Sequence, residues 1–150
     1  MPTDRIERAL SPRPRDPRVV VTEIKSALRL SAMNAQAAEL GLRVGMPLAD
    51  ARAMYPTILV DHADETADQN LAEAVNDWLG RYTPLVGLSP PHGMMLDISG
   101  CAHLFGGEEA MRKDIGRRLA VQGFKSRLAI AGTAGAAWAL ARFGDKRIVA

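Results

Sequence analysis

Cysteine is almost absent from these 150 residues, since Cys101 stands alone. A single thiol closes no intramolecular disulfide and completes no thiolate-rich zinc site, so a disulfide scaffold is excluded and a reducing compartment fits. Cys101 itself lies between Gly100 and Ala102 with no base nearby in sequence, which suits a small buried thiol better than a nucleophile. Long apolar runs are missing too. Nothing approaches the roughly 20 apolar residues that cross a bilayer. The start Met1-Pro2-Thr3-Asp4-Arg5 places no apolar stretch behind a basic head, so neither a span nor an export signal is expected and the reading is cytoplasmic. His62 and His103 have no partner histidine at ligand spacing, and internal repeats and low-complexity blocks are lacking. What remains is a globular balance, 47% hydrophobic and 24% charged, in a length that suits one compact domain or a piece of something larger.

The formal net charge of +2 hides an asymmetry. From Asp50 to Asp77 there are seven acids against one base, and from Arg112 to Arg147 nine bases against two acids. A basic tract attracts polyanions, of which nucleic acid is the commonest in a cytoplasm, although a solvated helix face gives the same pattern.

Residues 1–17, with the proline-punctuated RPRDP of Arg13 to Pro17, read as a partly disordered N-terminal segment. The β-branched run Arg18-Val19-Val20-Val21-Thr22 predicts a strand. Met33 to Leu40 predicts a helix stopped by Gly41, and Pro47 opens a second short helix that ends before Pro56. Thr57-Ile58-Leu59-Val60 predicts another strand, with Asp61 in the loop after it. Asp64 predicts the cap of a helix whose apolar Ala67, Leu71, Ala74, Val75 and Trp78 recur at helical spacing up to Gly80. Pro84 to Leu88 and Met94 to Ile98 predict a hairpin across Ser89-Pro90-Pro91-His92-Gly93. Met111, Ile115 and Leu119 predict a helix that shows Arg112, Lys113, Arg117 and Arg118 to solvent. Arg127 to Ala131 predicts a strand, and Thr133 caps an alanine-rich helix that stops at Gly144. Trp78 and Trp138 are read as core side chains. From Thr57 onward the order matches the α+β, ferredoxin-like βαββαβ arrangement, which names no function by itself.

Three local signatures in fixed order carry a resemblance. Asn34 to Leu48 (NAQAAELGLRVGMPL), with Ala51 and Tyr55-Pro56, resembles the fingers of the Y-family (UmuC/DinB-like) translesion DNA polymerases. The hairpin ending Leu96-Asp97-Ile98-Ser99-Gly100 is similar to their palm hairpin, and Arg127 to Ala141 (RLAIAGTAGAAWALA) to the palm strand and helix that follow. The tracts RYTPLV from Arg81, DISGCAHLFGGE from Asp97 and AAWALAR from Ala136 are closest in wording to the ImuB subgroup, non-polymerising accessory members of a bacterial mutasome. The resemblance implies a fingers-like subdomain over 18–56, a palm-like domain over 57–144 and the start of a thumb over 145–150. It also implies that the first palm strand, with its metal-binding aspartate, would precede Met1, leaving a sheet short of one member and the chain either of reduced stability or dependent on a partner.

The resemblance also locates the chemistry. Phosphoryl transfer of this kind needs carboxylates for two Mg²⁺ ions. Active members carry adjacent Asp and Glu where this chain has His92 and Gly93, and a neutral histidine is a poor Mg²⁺ ligand. Asp97 corresponds to a later, non-catalytic aspartate suited to local hydrogen bonding. The triphosphate-contacting tyrosine, arginine and lysine of the fingers correspond to Ala35, Ala38 and Glu39, and the palm Asn-Lys step to Thr133-Ala134. No catalytic residue, metal or cofactor is therefore expected. DNA contact is expected to be weak, through Arg112, Lys113, Arg117, Arg118, Thr133 and Arg142, with Thr133 at a helix N-terminus whose free backbone N–H groups can accept a phosphate. The implied partners are mutasome proteins, namely ImuA, an error-prone replicative-type polymerase and the sliding clamp, met through regions beyond this chain. The alternatives are an active translesion polymerase with carboxylates from other positions, and an unrelated ferredoxin-like binding or regulatory module.

Overall fold

The computed structural model describes residues 2–10 and 16–145, and the backbone of 148–149. The fold is α+β. Its elements in order are α1 (Pro2–Arg8), β1 (Arg18–Ile24), β2 (Ala27–Met33), α2 (Ala35–Glu39), α3 (Leu48–Met54), β3 (Leu59–His62) and α4 (Glu65–Leu79). There follow β4 (Val86–Ser89), β5 (Gly93–Leu96), a 3-10 turn at Ala102–Phe105, α5 (Glu108–Val121), β6 (Ile130–Ala131), α6 (Ala134–Phe143) and β7 (Ile148–Val149). Two compact units meet inside α4, the first ending at Asn70 and the second beginning at Leu71.

In the first unit the sheet order is β2-β1-β3. The central strand is buried on both faces, with Val19, Val20 and Val21 at 0% exposure, so consecutive rather than alternating apolar residues are what it needs. β1 pairs antiparallel with β2 through a turn in which Lys25 and Ser26 both take positive φ, 50° and 61°. That geometry matches the twist of a two-residue hairpin but is normally supplied by Asn or Gly, which is why the sequence shows β1 and not β2. Leu30 of β2 and Ala37, Leu42, Leu48, Ala51 and Ile58 from the two short helices and their loops complete the core. The left-handed Gly41 ends α2.

One buried side chain ties this unit together. Asn34 caps α2, its Oδ1 accepting from Ala37 N–H at 3.0 Å and from Arg18 N–H at 3.1 Å. Its Nδ2 donates to Glu7 Oε1 and to the Asp16 carbonyl, both at 2.9 Å. All four bonds an amide side chain commonly makes are thereby used. Glu7 comes from α1, so residues 2–8 are helical where a partly disordered segment is expected; residues 11–15 of that segment lie outside the described residues. Asp61 pairs with Arg18, and Asp64 Oδ1 accepts from Ala67 N–H at 2.8 Å as the cap of α4.

β3 differs from expectation in its partner. The order βαββαβ is met from β3 to β6, yet β3 lies parallel to β1, Arg18 opposite Leu59 and Val21 opposite His62, while β4–β5 and β6–β7 form separate two-stranded sheets. A strand buried on both faces needs a neighbour on each edge, and β3 supplies the second one for β1. The strand beginning near Thr57 therefore pairs within the first compact unit, which ends at Asn70. The strand expected over 127–131 is hydrogen bonded as such at Ile130 and Ala131, opposite Ile148 and Val149.

The second unit buries Val75 and Leu79 of α4, Tyr82, Thr83, Phe124, and the stripe Met111, Ile115 and Leu119 of α5. α6 has no buried residue, and Trp138, expected in the core, is 46% exposed. Its ring meets Phe143 edge to face at 5.9 Å. Trp78 is half-buried and packs edge to face on Tyr82 at 5.8 Å, with the Arg81 guanidinium 4.7 Å from its ring centre.

Candidate nucleic-acid interface

The hairpin places His92 at the tip and Gly93 as the first residue of β5, opposite Ser89, both exposed. Gly93 is closely overlain: a Cβ there would stand 3.1 Å from the Ser89 carbonyl oxygen, a contact that asks the Ser89 backbone to give by a few tenths of an ångström. Asp97 anchors the hairpin base. Its N–H donates to Leu85 O at 2.9 Å, its carbonyl accepts from Thr83 Oγ1 at 2.6 Å, and its Oδ1 accepts from Ser99 N–H at 2.9 Å. The Ser99 side-chain and backbone donors hold the Asp97 carboxyl below the usual range. Among the described residues no three His, Cys, Asp or Glu side chains gather as metal ligands do. Ala35, Ala38 and Glu39 lie on the exposed side of α2, opposite the buried Ala37.

α5 carries the four expected cations, and each meets an acid on the same helix. Glu109 accepts Arg112 Nε at 2.9 Å and Nη2 at 2.8 Å, and lies 3.3 Å from Lys113 Nζ. Asp114 accepts Tyr82 Oη–H at 2.6 Å, Arg117 Nη2 at 2.6 Å and Arg118 Nε at 2.9 Å. These donors pull both carboxyls to about 2, Arg112 being the main cause at Glu109 and the Tyr82 hydroxyl at Asp114. Tyr82 moves the other way, up to about 12, first because it is buried and second because its proton is held by Asp114. The outer face of α5 is thus a ladder of ion pairs at three- and four-residue spacing, and as a polyanion site it is weaker than its count of cations implies.

α6 begins at Thr133, whose Oγ1 accepts from Ala136 N–H at 3.3 Å, and carries Arg142 in its last turn. The Arg142 guanidinium lies 5.5 Å from the Trp138 ring centre and 5.9 Å from that of Phe143. Thr133 and Arg142 are about 13 Å apart along the helix, at 1.5 Å per residue, so the two do not form one site. Lys125 and Arg127 were absent from the expected set. Their signal was present, since no acid occurs between Asp114 and Asp145 while five cations do.

Residues 4–142 match the impB/mucB/samB family. The Protein ImuB of Caulobacter vibrioides strain NA1000 is 47% identical over 111 residues, which are 74% of this chain and 24% of that protein. This chain thus spans about a quarter of the length of the curated relative it matches. The structure resembles the insertion ternary complex of Dbh DNA polymerase, with a TM-score of 0.73 at 16% identity, over 89% of this chain and 41% of that one. It also resembles DinB from Sulfolobus solfataricus, with a TM-score of 0.60 at 17% identity, over 77% and 36%. These likenesses identify the fold as that of Y-family palm and fingers domains. With the match running from residue 4 to residue 142, the chain belongs to the impB/mucB/samB family of Y-family polymerase-like proteins.

Proposed function

We propose that this chain is the polymerase-like part of an ImuB-type protein that does not polymerise, and that it serves as an accessory or scaffold in DNA repair and damage-induced, SOS-linked mutagenic translesion synthesis in the bacterial cytoplasm. The observation that carries the reading is the hairpin tip. The two positions where active members hold adjacent carboxylates are His92 and Gly93, and a Cβ at Gly93 would stand in tight contact, 3.1 Å, with the Ser89 carbonyl oxygen. Without paired carboxylates, the charge that builds up between primer hydroxyl and triphosphate lacks its two-metal clamp. The exposed Glu39 adds repulsion where the fingers would meet polyphosphate. The 47% identity to an ImuB protein supports the same subgroup.

In this reading DNA is held weakly by the basic C-terminal third. ImuA, an error-prone replicative-type polymerase and the sliding clamp are engaged through other parts of the longer relatives. Primer extension with the full-length gene product, in Mg²⁺ and in Mn²⁺, tests it. No templated incorporation is expected; incorporation above a heat-inactivated control would establish the alternative, an active translesion polymerase.

A further inference from the structure

α6 buries none of its ten residues, and Arg142 is its one charged side chain. Trp138 and Phe143 are its largest side chains, 46% and 73% exposed, and their planes meet at 75°. The Arg142 guanidinium lies against both rings, so two aromatic side chains hold a cation at the surface of the helix. What sets Arg142 apart is the group it does not meet. Arg5, Arg18, Arg112, Arg117 and Arg118 each pair with a carboxylate. Among the described residues no carboxylate pairs with Arg142, and the Trp138 indole N–H donates to no acceptor. Arg81 lies over Trp78 in a similar way, but its Nε donates to the Trp78 carbonyl at 3.1 Å and that ring is half-buried against Tyr82. α6 therefore presents exposed ring surface, a guanidinium fork and an indole donor in one cluster.

We propose that the Trp138, Arg142 and Phe143 cluster is a docking point for an acidic, apolar segment of a partner protein, which sets a carboxylate on the Arg142 fork and an aromatic or leucine side chain on the rings. A planar guanidinium matches a carboxylate through two parallel hydrogen bonds, and the indole N–H supplies a further donor beside it. Tryptophan and arginine are also the side chains that dominate the centres of protein interfaces. Charge selects the occupant: no Asp or Glu occurs from Ile115 to Gly144, so an incoming carboxylate meets no like charge on α6. A nucleic-acid strand is a poorer match. It offers a phosphate about every 3.4 Å where the cluster has one cation, and rings set at 75° form no parallel slot for a base. The assignment goes beyond the accessory reading and stands without it, because it depends on α6 alone.

The chain has two tryptophans, so a proton–nitrogen correlation spectrum of the full chain carries two indole N–H signals, with Trp78 as the internal control. The probe is the peptide Gly-Asp-Leu-Asp-Phe-Gly. On titration the Trp138 signal should move to saturation while that of Trp78 stays in place. Arg142→Glu should weaken the peptide about tenfold or more, as expected when a charge-assisted, two-bond contact is lost. Arg52→Glu, the same charge change on the exposed side of α3, should stay within about twofold. Arg142→Lys keeps the charge without the fork and should retain only part of the affinity. Phe143→Ala should weaken the peptide about threefold. A peptide with Asn in place of both Asp residues should leave the Trp138 signal unmoved. If circular dichroism shows Arg142→Glu unfolded, Arg142→Lys, Phe143→Ala and the Asn peptide carry the test. The proposal is overturned by an unmoved Trp138 signal, by equal movement of both indoles, by equal losses in Arg142→Glu and Arg52→Glu, or by an Asn peptide that binds as well. A thymidine oligonucleotide that moves the Trp138 signal at lower concentration than the peptide would overturn it in favour of nucleic acid. A dimer in sedimentation equilibrium that Arg142→Glu dissociates would overturn it in favour of a second copy of the chain. Primer extension reads a different property, so failure of either test leaves the other unaffected.

Discussion

In the first unit three consecutive valines of β1 are fully buried, and a saturated asparagine joins a helix, a strand and a loop beside them. In the second, a ten-residue helix of mostly apolar residues has nothing buried, and polar side chains are spent on ion pairs along α5. Both units draw on similar residues. The difference lies in whether each apolar face finds a partner within the described residues, since a helix or sheet face contributes to stability only when covered. Polar groups follow the same rule: Asn34 is worth much because its donors and acceptors have no water to return to, whereas the exposed ion pairs of α5 compete with solvent.

The sharpest way to break this contrast is at Asn34. Asn34→Ala removes the cap of α2 and leaves buried donors and acceptors without partners. Adding about 1 kcal/mol for the cap to 1–3 kcal/mol for unsatisfied groups gives an expected loss of about 3 kcal/mol, read by urea denaturation and by hydrogen exchange of the β1 amides. Asn34→Asp keeps the acceptor for Ala37 N–H but turns two donors into a carboxylate facing Glu7 and the Asp16 carbonyl. That carboxyl would be favoured in its protonated form, so its pKa rises on folding and the variant loses stability as pH rises through the raised value. A loss below about 0.5 kcal/mol for both variants would show that water replaces the amide and that the site is not dry.

Legibility in the sequence follows the same division. β1, α2, α3, the hairpin and α5 were readable because β-branched runs, proline and glycine punctuation and four-residue apolar spacing are local signals. β2 was not, because Lys25-Ser26 occupies a turn whose usual residues are Asn and Gly. The partner of β3 was not, because pairing is a long-range choice and one short strand reads alike in either sheet. At the interface, the types and numbers of the cations were legible, but their neutralisation was not fully used: Glu109 and Asp114 stand at three- and four-residue spacing from the very arginines expected to be available. Trp138 sits in an apolar helix and so reads as internal, whereas among the described residues no element covers it and it is 46% exposed.

A second measurement sharpens the comparison inside the second unit, where the Tyr82–Asp114 bond is the point at which a buried group meets the ion-pair ladder. Tyr82 is neutral when folded and its pKa is raised from 10.0 to about 12, so its contribution is present below about 10 and lost as pH rises through about 12. Asp114 is lowered from 3.8 to about 2, so its contribution is present above about 4 and lost as pH falls through about 2. With two tyrosines in the chain, Tyr55 and Tyr82, the phenolate absorbance should show a phase near 12 that Tyr82→Phe deletes. Asp114→Asn should move that phase down yet leave it above the ordinary value, because burial is the larger cause. The same Tyr82→Phe variant should flatten the acid limb of stability between about pH 4 and pH 2.

The smallest effect is expected at Phe143, and its smallness is the informative part. The ring is 73% exposed, touching Trp138 at 5.9 Å and the Arg142 guanidinium at the same distance. Truncating a buried phenylalanine costs about 3–5 kcal/mol through lost transfer energy and the cavity left behind. Phe143→Ala leaves no cavity, and the aromatic edge contact it removes is exposed, so the change in stability should stay within about 0.5 kcal/mol. If thermal denaturation instead shows a loss above about 1 kcal/mol, α6 is covered in solution and the contrast between the units fails at its second term. A null result carries the opposite weight: the apolar face of α6 adds nothing to folding, and the stability of the second unit rests on the Met111, Ile115 and Leu119 stripe and on Tyr82.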